Sequence, residues 1–296
     1  FFSKNNIGVE KMDGFIIINK KENTTSRDVV NVVGNILGTK KIGHTGTLDP
    51  MATGVLVICM GKCLKLCELL QGSDKEYIAS VVLGISTDTL DVTGKVLERQ
   101  KVSGLTRDKV VNALNSFKGN SIQEVPLYSA VKVNGKKLYE YARNGEKVVL
   151  PKKEINIKEI ELLDFNDTSF SFRCVVSKGT YIRSLIRDIG VKLGVLACMS
   201  DLVRTRQGKF RLEDSYTLAD IKNGTYDFLT ISDVFDNVKQ VVLEDKILFK
   251  VKNGSVIDNI FGEDVVLFKD SDNKVIALYR VCDDDKSKLK AWKMFL

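Results

Sequence analysis

The sequence predicts a chain of mixed helices and strands that closes on a small β-rich segment, and three observations predict it. Residues 76–83 and 170–176 alternate side chains with the two-residue period of a strand. Val29, Val32, Val33, Ile36 and Leu37 recur at helical spacing, as do Ile182, Leu185, Ile186, Ile189 and Leu193. After about Val241 the pattern changes to short strands, with 264–268 and 274–280 flanking a turn at 270–273.

The elements follow in order. Residues 15–18 are a short apolar run, read as a buried strand. Thr24, Thr25 and Ser26 offer N-caps to the first helix, and Gly38 ends it. Residues 43–54, GHTGTLDPMATG, form a glycine-rich loop. An apolar run over 55–60 comes next, then a helix over 62–70. Residues 88–94 are a polar loop, and Thr106 starts a helix whose buried face is Val110, Leu114 and Phe117. Residues 124–150 are rich in lysine and tyrosine, with the hairpin turn signal Asn134-Gly135 in their midst. They read as an exposed insertion able to close on a ligand. Lys178-Gly179-Thr180 turns the chain into the second striped helix, which carries Arg183 and Arg187 one turn apart on another face.

Composition narrows the function classes. No run approaches the ~18 apolar residues that span a bilayer. The opening FFSKNNIGVEK is too short and too polar for a signal peptide. Residues 1–11 are expected to be an appended or upstream tail, and the lack of a targeting signal favours the cytoplasm. The six cysteines form no C-x-x-C pair, and His44 is the single histidine. Cys59, Cys63 and Cys67, four apart, are expected on one helical face as buried apolar residues rather than metal ligands. The formal charge is +7, and between Cys174 and Arg211 eight basic residues face only Asp188 and Asp201. That clustering fits a nucleic-acid footprint better than a solvated face.

The loop at 43–54 lacks the G-x-x-x-x-G-K-[ST] of a nucleotide triphosphate site, since Gly61-Lys62 is followed by Cys63. No G-x-G-x-x-G stands between a strand and a helix. The loop does contain one carboxylate, Asp49, before Pro50, which restricts it to extended conformations. Spacing alone leaves two readings open: a held catalytic carboxylate, or an Asp-Pro that shapes a turn.

The motif from Gly43 to Gly54 closely resembles the active-site motif of the TruB family of pseudouridine synthases. Lys75-Glu76-Tyr77 resembles the family's K-x-Y strand, and TDTLDVTG at 87–94 its T-D-T-x-D-x-x-G loop. YSAVKVNG at 128–135 is similar to its RNA-facing insertion, KGTYIR at 178–183 to its second active-site motif, and LVRTR at 202–206 with Gly208 to its L-x-R-x-x-x-G segment. The matches run in order from about Met12 to Ser215. Where the family opens K-P-x-G-x-T-S, this chain has Lys21 and Asn23 in place of proline and glycine. The end of the chain resembles the family's PUA-like domain only weakly.

The resemblance implies an α+β pseudouridine synthase fold, a mixed and largely antiparallel sheet flanked by helices, over residues 12–240, with a small PUA-like domain over 241–296. It implies conversion of a uridine in the T loop of tRNA, at position 55, to pseudouridine. Asp49 matches the catalytic aspartate, Arg183 the arginine that pairs with it, and Tyr77 the tyrosine that stacks on the target base. Tyr181 and Leu202 match further base-pocket positions, His44 the residue that fills the space left by the flipped base, and Lys20 a supporting lysine. Lys132, Lys136, Lys137 and Arg143 of the insertion, with Arg204 and Arg206, are expected to meet RNA. The partner implied is the tRNA T arm, with no membrane, no protein partner, no metal and no organic cofactor. A monomer is expected for a clamp acting on one tRNA. The competing function is a non-catalytic tRNA-binding or RNA-folding chaperone on the same fold.

Overall fold

The computed structural model describes residues 13–296, so the expected tail at 1–11 lies outside the described residues. Strand β1 (Gly14–Lys20) leads into helix α1 (Ser26–Ile36). Thr25 caps that helix, accepting from the Asp28 N–H while the Asp28 carboxylate accepts from Thr25, a reciprocal capping box. The chain continues through β2 (Ile42–His44) to β3 (Thr53–Met60). The helix expected over 62–70 is split: a 3-10 turn, Gly61–Leu66, precedes a short α2 (Cys67–Gln71). Cys59 lies on β3, so the three thiols do not share one helical face, although Cys59 and Cys63 are buried.

Next come β4 (Lys75–Leu83), the small pair β5 (Ile85–Thr87) and β6 (Val96–Arg99), α3 (Arg107–Asn115) and β7 (Gly119–Glu124). The insertion holds a tight hairpin, β8 (Lys132–Val133) and β9 (Lys136–Lys137), followed by α4 (Leu138–Asn144). Asn134 and Gly135 both take positive φ at its turn, as a type I′ hairpin needs. Then follow β10 (Lys152–Asn166), β11 (Ser169–Val176), α5 (Ile182–Leu193), β12 (Ala197–Gln207) and β13 (Phe210–Arg211).

Among the described residues nine strands form one sheet, with the path β1-β3-β12-β4-β11-β10-β7 and with β2 and β13 on β3 and β12. Helices α3 and α5 cover β4, β10 and β11 through Val110, Leu114, Leu185 and Ile189. Helix α1 covers one face of β1 and β3 through Val29, Val30 and Val33. Two more short helices, α6 (Leu218–Asn223) and α7 (Ile231–Val234), lead to the C-terminal part.

That part comprises β14 (Lys239–Val242), α8 (Asp245–Lys252), β15 (Ile257–Asp258), β16 (Val265–Lys269), β17 (Val275–Val281) and β18 (Lys288–Met294). Its separate five-stranded sheet runs β14-β16-β17-β18-β15. Leu267, Leu278 and Phe295 of this part pack on Phe15, Ile17, Val55 and Val57. Strands β1 and β3 are therefore buried on both faces, which is why they read as unbroken apolar runs rather than alternating ones. No helix among the described residues is long and apolar enough to cross a membrane.

Strands β10 and β12 were not legible as strands. Register shifts at Ile157/Glu159 and Leu162/Asp164 interrupt β10, and shifts at Met199/Asp201 and Arg204/Arg206 interrupt β12. Each shift moves the buried set to the other parity, so no two-residue period survives.

Within the main sheet β3 and β12 meet in parallel, Thr53 beside Val203 and Gly54 beside Arg204. Gly54 has φ +99°, and a Cβ there would lie 2.2 Å from the Arg204 carbonyl oxygen. Glycine is required at this position by backbone conformation and by space. Gly54→Ala is expected to lower stability by roughly 2 kcal/mol or more. Thermal unfolding checks this; an unchanged Tm would show that the sheet tolerates a Cβ there.

Candidate active site

The loop between β2 and β3 is held at both sides of Asp49. On one side the Leu48 N–H donates to Ser26 Oγ at 2.9 Å, and Ser26 Oγ donates back to the Leu48 carbonyl at 3.2 Å. On the other, Lys20 Nζ donates to the Pro50 carbonyl at 3.0 Å. Lys20 is fully buried and also donates to the carbonyls of Lys21 and Thr24. Asn23, where the family's glycine would stand, takes φ +60°, a left-handed conformation that asparagine tolerates. The turn that wraps Lys20 thus keeps a left-handed residue without glycine. Upstream, Gln207 Nε2 donates to Thr45 Oγ1, and Arg204 Nη2 donates to the Gly46 carbonyl at 3.0 Å.

Arg183, in the first turn of α5, closes on Asp49 at two points: Nη2 donates to Oδ1 at 3.0 Å, and Nε makes an ion-pair contact with Oδ2 at 2.9 Å. The same guanidinium donates to the Thr89 carbonyl at 2.9 Å and the Tyr128 carbonyl at 3.1 Å, with Asp91 Oδ2 at 3.9 Å. Its side chain is 6% exposed, against 34% for Asp49, so the carboxylate looks outward from a buried clamp. The start of α5 is fixed by Gln123, whose side chain accepts from the Tyr181 N–H and donates to the Tyr181 carbonyl.

Asp49, Tyr77, Tyr181, Arg183, Leu202 and Arg204 line one cavity of about 310 Å³. Burial pushes the Tyr77 phenol up, the nearby Arg204 guanidinium opposing it. Burial likewise raises Tyr181. His44 and Lys20 lie outside the lining. His44 Nδ1 accepts from the Gly46 N–H at 3.3 Å, and burial with repulsion from Arg27 and Arg204 lowers its pKa, which favours the neutral imidazole.

Two cations of the cavity, Lys75 and Lys153, had no role assigned from the sequence, and Lys178 of the basic stretch joins them there. Lys75 is 7% exposed and donates only to the carbonyls of Gln71 and Ser73. Burial holds its pKa at about 8, with Arg204 and Lys178 adding repulsion. Asp49 is the single carboxylate among the cavity's lining side chains, so the rim favours an anion.

The basic-footprint reading of residues 174–211 needs correction. Arg204 is 1% exposed and donates to the Val55 and Gly46 carbonyls, so it is an internal brace and not a surface phosphate contact. Arg187 pairs with Glu124 and Asp188, Lys209 with Asp236, and Arg206 donates to the Gly208 carbonyl. In the insertion, Lys132 and Arg143 are exposed. Lys136 is paired with Glu146, and Lys137 donates to the Tyr139 hydroxyl.

Residues 35–182 match the model of the TruB family pseudouridylate synthase N-terminal domain, and residues 183–238 that of the tRNA pseudouridylate synthase B C-terminal domain. A Bacillus cytotoxicus protein named tRNA pseudouridine synthase B is 41% identical over 96% of this chain and 98% of its own length. The chain belongs to the TruB family of pseudouridylate synthases. A protein of the same name from Clostridium tetani is 49% identical over 71% of this chain and 73% of its own. Among solved structures, a chain of a Cbf5-Nop10-Gar1 complex superposes with a TM-score of 0.71 at 26% identity, covering 96% of this chain and 85% of that one. A chain of an H/ACA RNP bound to a substrate RNA containing 2'-deoxyuridine shares the fold, with a TM-score of 0.70 at 24% identity over 96% of this chain and 85% of that one.

Lys20 gives a prediction from its burial. Burial lowers its pKa to about 8 from an ordinary 10.5. The folded state then holds fewer protons than the unfolded state between those values, so stability attributable to Lys20 rises with pH across that window. Unfolding free energies of wild type and Lys20→Met, compared from pH 7.5 to pH 10, are expected to shift in favour of wild type as pH rises. A difference that stays flat would mean that the Lys20 ammonium is not held at low pKa.

Proposed function

We propose that this chain converts a uridine in the T loop of tRNA, at position 55, to pseudouridine, with Asp49 as the catalytic carboxylate. The observation that carries the reading is the two-point clamp of Arg183 on Asp49, one hydrogen bond and one ion-pair contact, at the wall of a cavity shared with Tyr77 and Tyr181. The names of the curated relatives support tRNA as the substrate.

The reaction breaks the N1–C1′ bond, turns the detached uracil, and joins C5 to C1′. The proton lost from C5 is matched by one gained at N1, so the step balances without an oxidant or reductant. Asp49 acts at C1′ or on a sugar proton, and Arg183 pairs with it and aims it. Tyr77 supplies a ring face on which the base is held yet free to turn, because stacking has little preference about the ring normal. Tyr181 and Leu202 complete the base pocket, and Lys20 steadies the loop through the Pro50 carbonyl.

A uridine inside a folded loop must be extruded to reach Asp49. His44, in its neutral form, takes the vacated place in the stack. Lys132, Lys136, Lys137 and Arg143 close the insertion on the T arm, and Arg206 contacts RNA beside Gly208. Lys153 and Lys178 meet phosphates at the cavity rim. On this reading the catalytic part spans 12–240, the PUA-like part spans 241–296, and the protein works as a monomer in the cytoplasm.

The test is chemical mapping of pseudouridine in an unmodified tRNA transcript after incubation with wild type or Asp49→Asn. Wild type is expected to modify position 55. Asp49→Asn is expected to bind tRNA as well as wild type while its turnover falls at least about a thousandfold. Turnover by the variant near wild type would remove Asp49 from the chemistry. Binding without conversion by wild type would favour the RNA-binding or chaperone reading.

A further inference from the structure

Ser129 lies in the turn that joins the insertion to the active site. Its N–H donates to the Leu127 carbonyl at 3.0 Å, and its carbonyl accepts from the Tyr139 N–H at 3.1 Å. The preceding carbonyl, that of Tyr128, is one of the acceptors of Arg183. The backbone of Ser129 is therefore fixed by the group that fixes Asp49. The residue is 6% exposed and lines the cavity with Asp49, Tyr181 and Leu202.

The Ser129 hydroxyl oxygen is buried and makes no hydrogen bond of ordinary geometry, with the Tyr181 phenol as its polar neighbour in the cavity. Among the described residues, Gln207 Oε1 and Asn259 Oδ1 share that condition, and neither residue lines this cavity. Buried polar groups are nearly always partnered, and leaving one unpartnered costs stability. A hydroxyl left so beside Tyr181 in a ligand cavity is open to a partner in the ligand.

We propose that Ser129 is a substrate-binding residue whose Oγ donates a hydrogen bond to a carbonyl oxygen of the target uracil. The proposal rests on the isomerisation argued above. The chemistry of that isomerisation suits a fixed neutral hydroxyl. Turning uracil about its N3–C6 axis carries C5 to the position N1 has left, and it exchanges the C2 and C4 carbonyls. A donor at this edge meets a carbonyl oxygen before and after the turn. Cytosine would bring an exocyclic amine to that edge in one of the two orientations. A hydroxyl carries no net charge, so it steadies the free base without holding it in one orientation as an ion pair would.

The experiment compares wild type with Ser129→Ala on an unmodified tRNA transcript, recording Tm, tRNA affinity and kcat/KM for pseudouridine formation. Removing an unpartnered hydroxyl is expected to leave Tm equal or raised, while kcat/KM falls about tenfold or more because a polar contact to the base is lost. Affinity for the whole tRNA is expected to change less than about threefold, since phosphate contacts dominate it. A kcat/KM equal to that of an active wild type would overturn the proposal. So would a fall in Tm alongside the loss of rate, because the hydroxyl would then be a structural partner. Failure of wild type itself to form pseudouridine would overturn the isomerisation reading, and this proposal with it.

Discussion

One buried guanidinium joins the parts of this site. Arg183 reaches Asp49 in the β2–β3 loop, Thr89 and Asp91 in the polar loop, and Tyr128 at the root of the insertion. A cation buried to this degree is costly unless it is paired and its donors are satisfied. Two carboxylates and two carbonyls meet that demand here, and they come from three segments that are distant in sequence. The loops can settle only where they satisfy Arg183 together, so its burial turns three separate loops into one site.

The rest of the fold supplies rigid mounts for that convergence. Helix α5 presents Arg183 from its first turn, and Gln123 on β7 fixes where that turn begins. The Asp49 loop hangs between two buried anchors, Ser26 and Lys20, and Arg204 braces the segment before it. Gly54 lets β3 approach β12 closely enough for Arg204 to reach across. Each mount leaves the Asp49 carboxylate half-buried at the cavity while its neighbours are held, and the proposed catalytic role rests on that placement.

What was legible in the sequence was local. The capped helix at Thr25, the Asn134-Gly135 hairpin, the two-residue period of β4 and β11 and the order of the site motifs depend on residues a few positions apart. What was not legible depends on partners far along the chain. The stretch from Cys174 to Arg211 read as surface charge, yet Arg187 and Lys209 are neutralised by Glu124 and Asp236, and Arg204 is inside. The lysines at 75 and 153 come from strands that meet at the cavity only in the folded sheet. Bulges erased the period of β10 and β12. The long-range partners of Ser26 and Gln123 left no pattern to read.

The most direct test of this account is a double-mutant cycle between Asp49 and Arg183, read in unfolding free energy. Wild type, Asp49→Ala, Arg183→Met and the double variant are compared under one set of conditions. If the clamp organises the site, the double variant will be more stable than the sum of the single losses allows, with a coupling of about 1–3 kcal/mol. Losses that add to within roughly 0.5 kcal/mol would contradict it, because Arg183 would then be held by Asp91 and its carbonyl partners without Asp49.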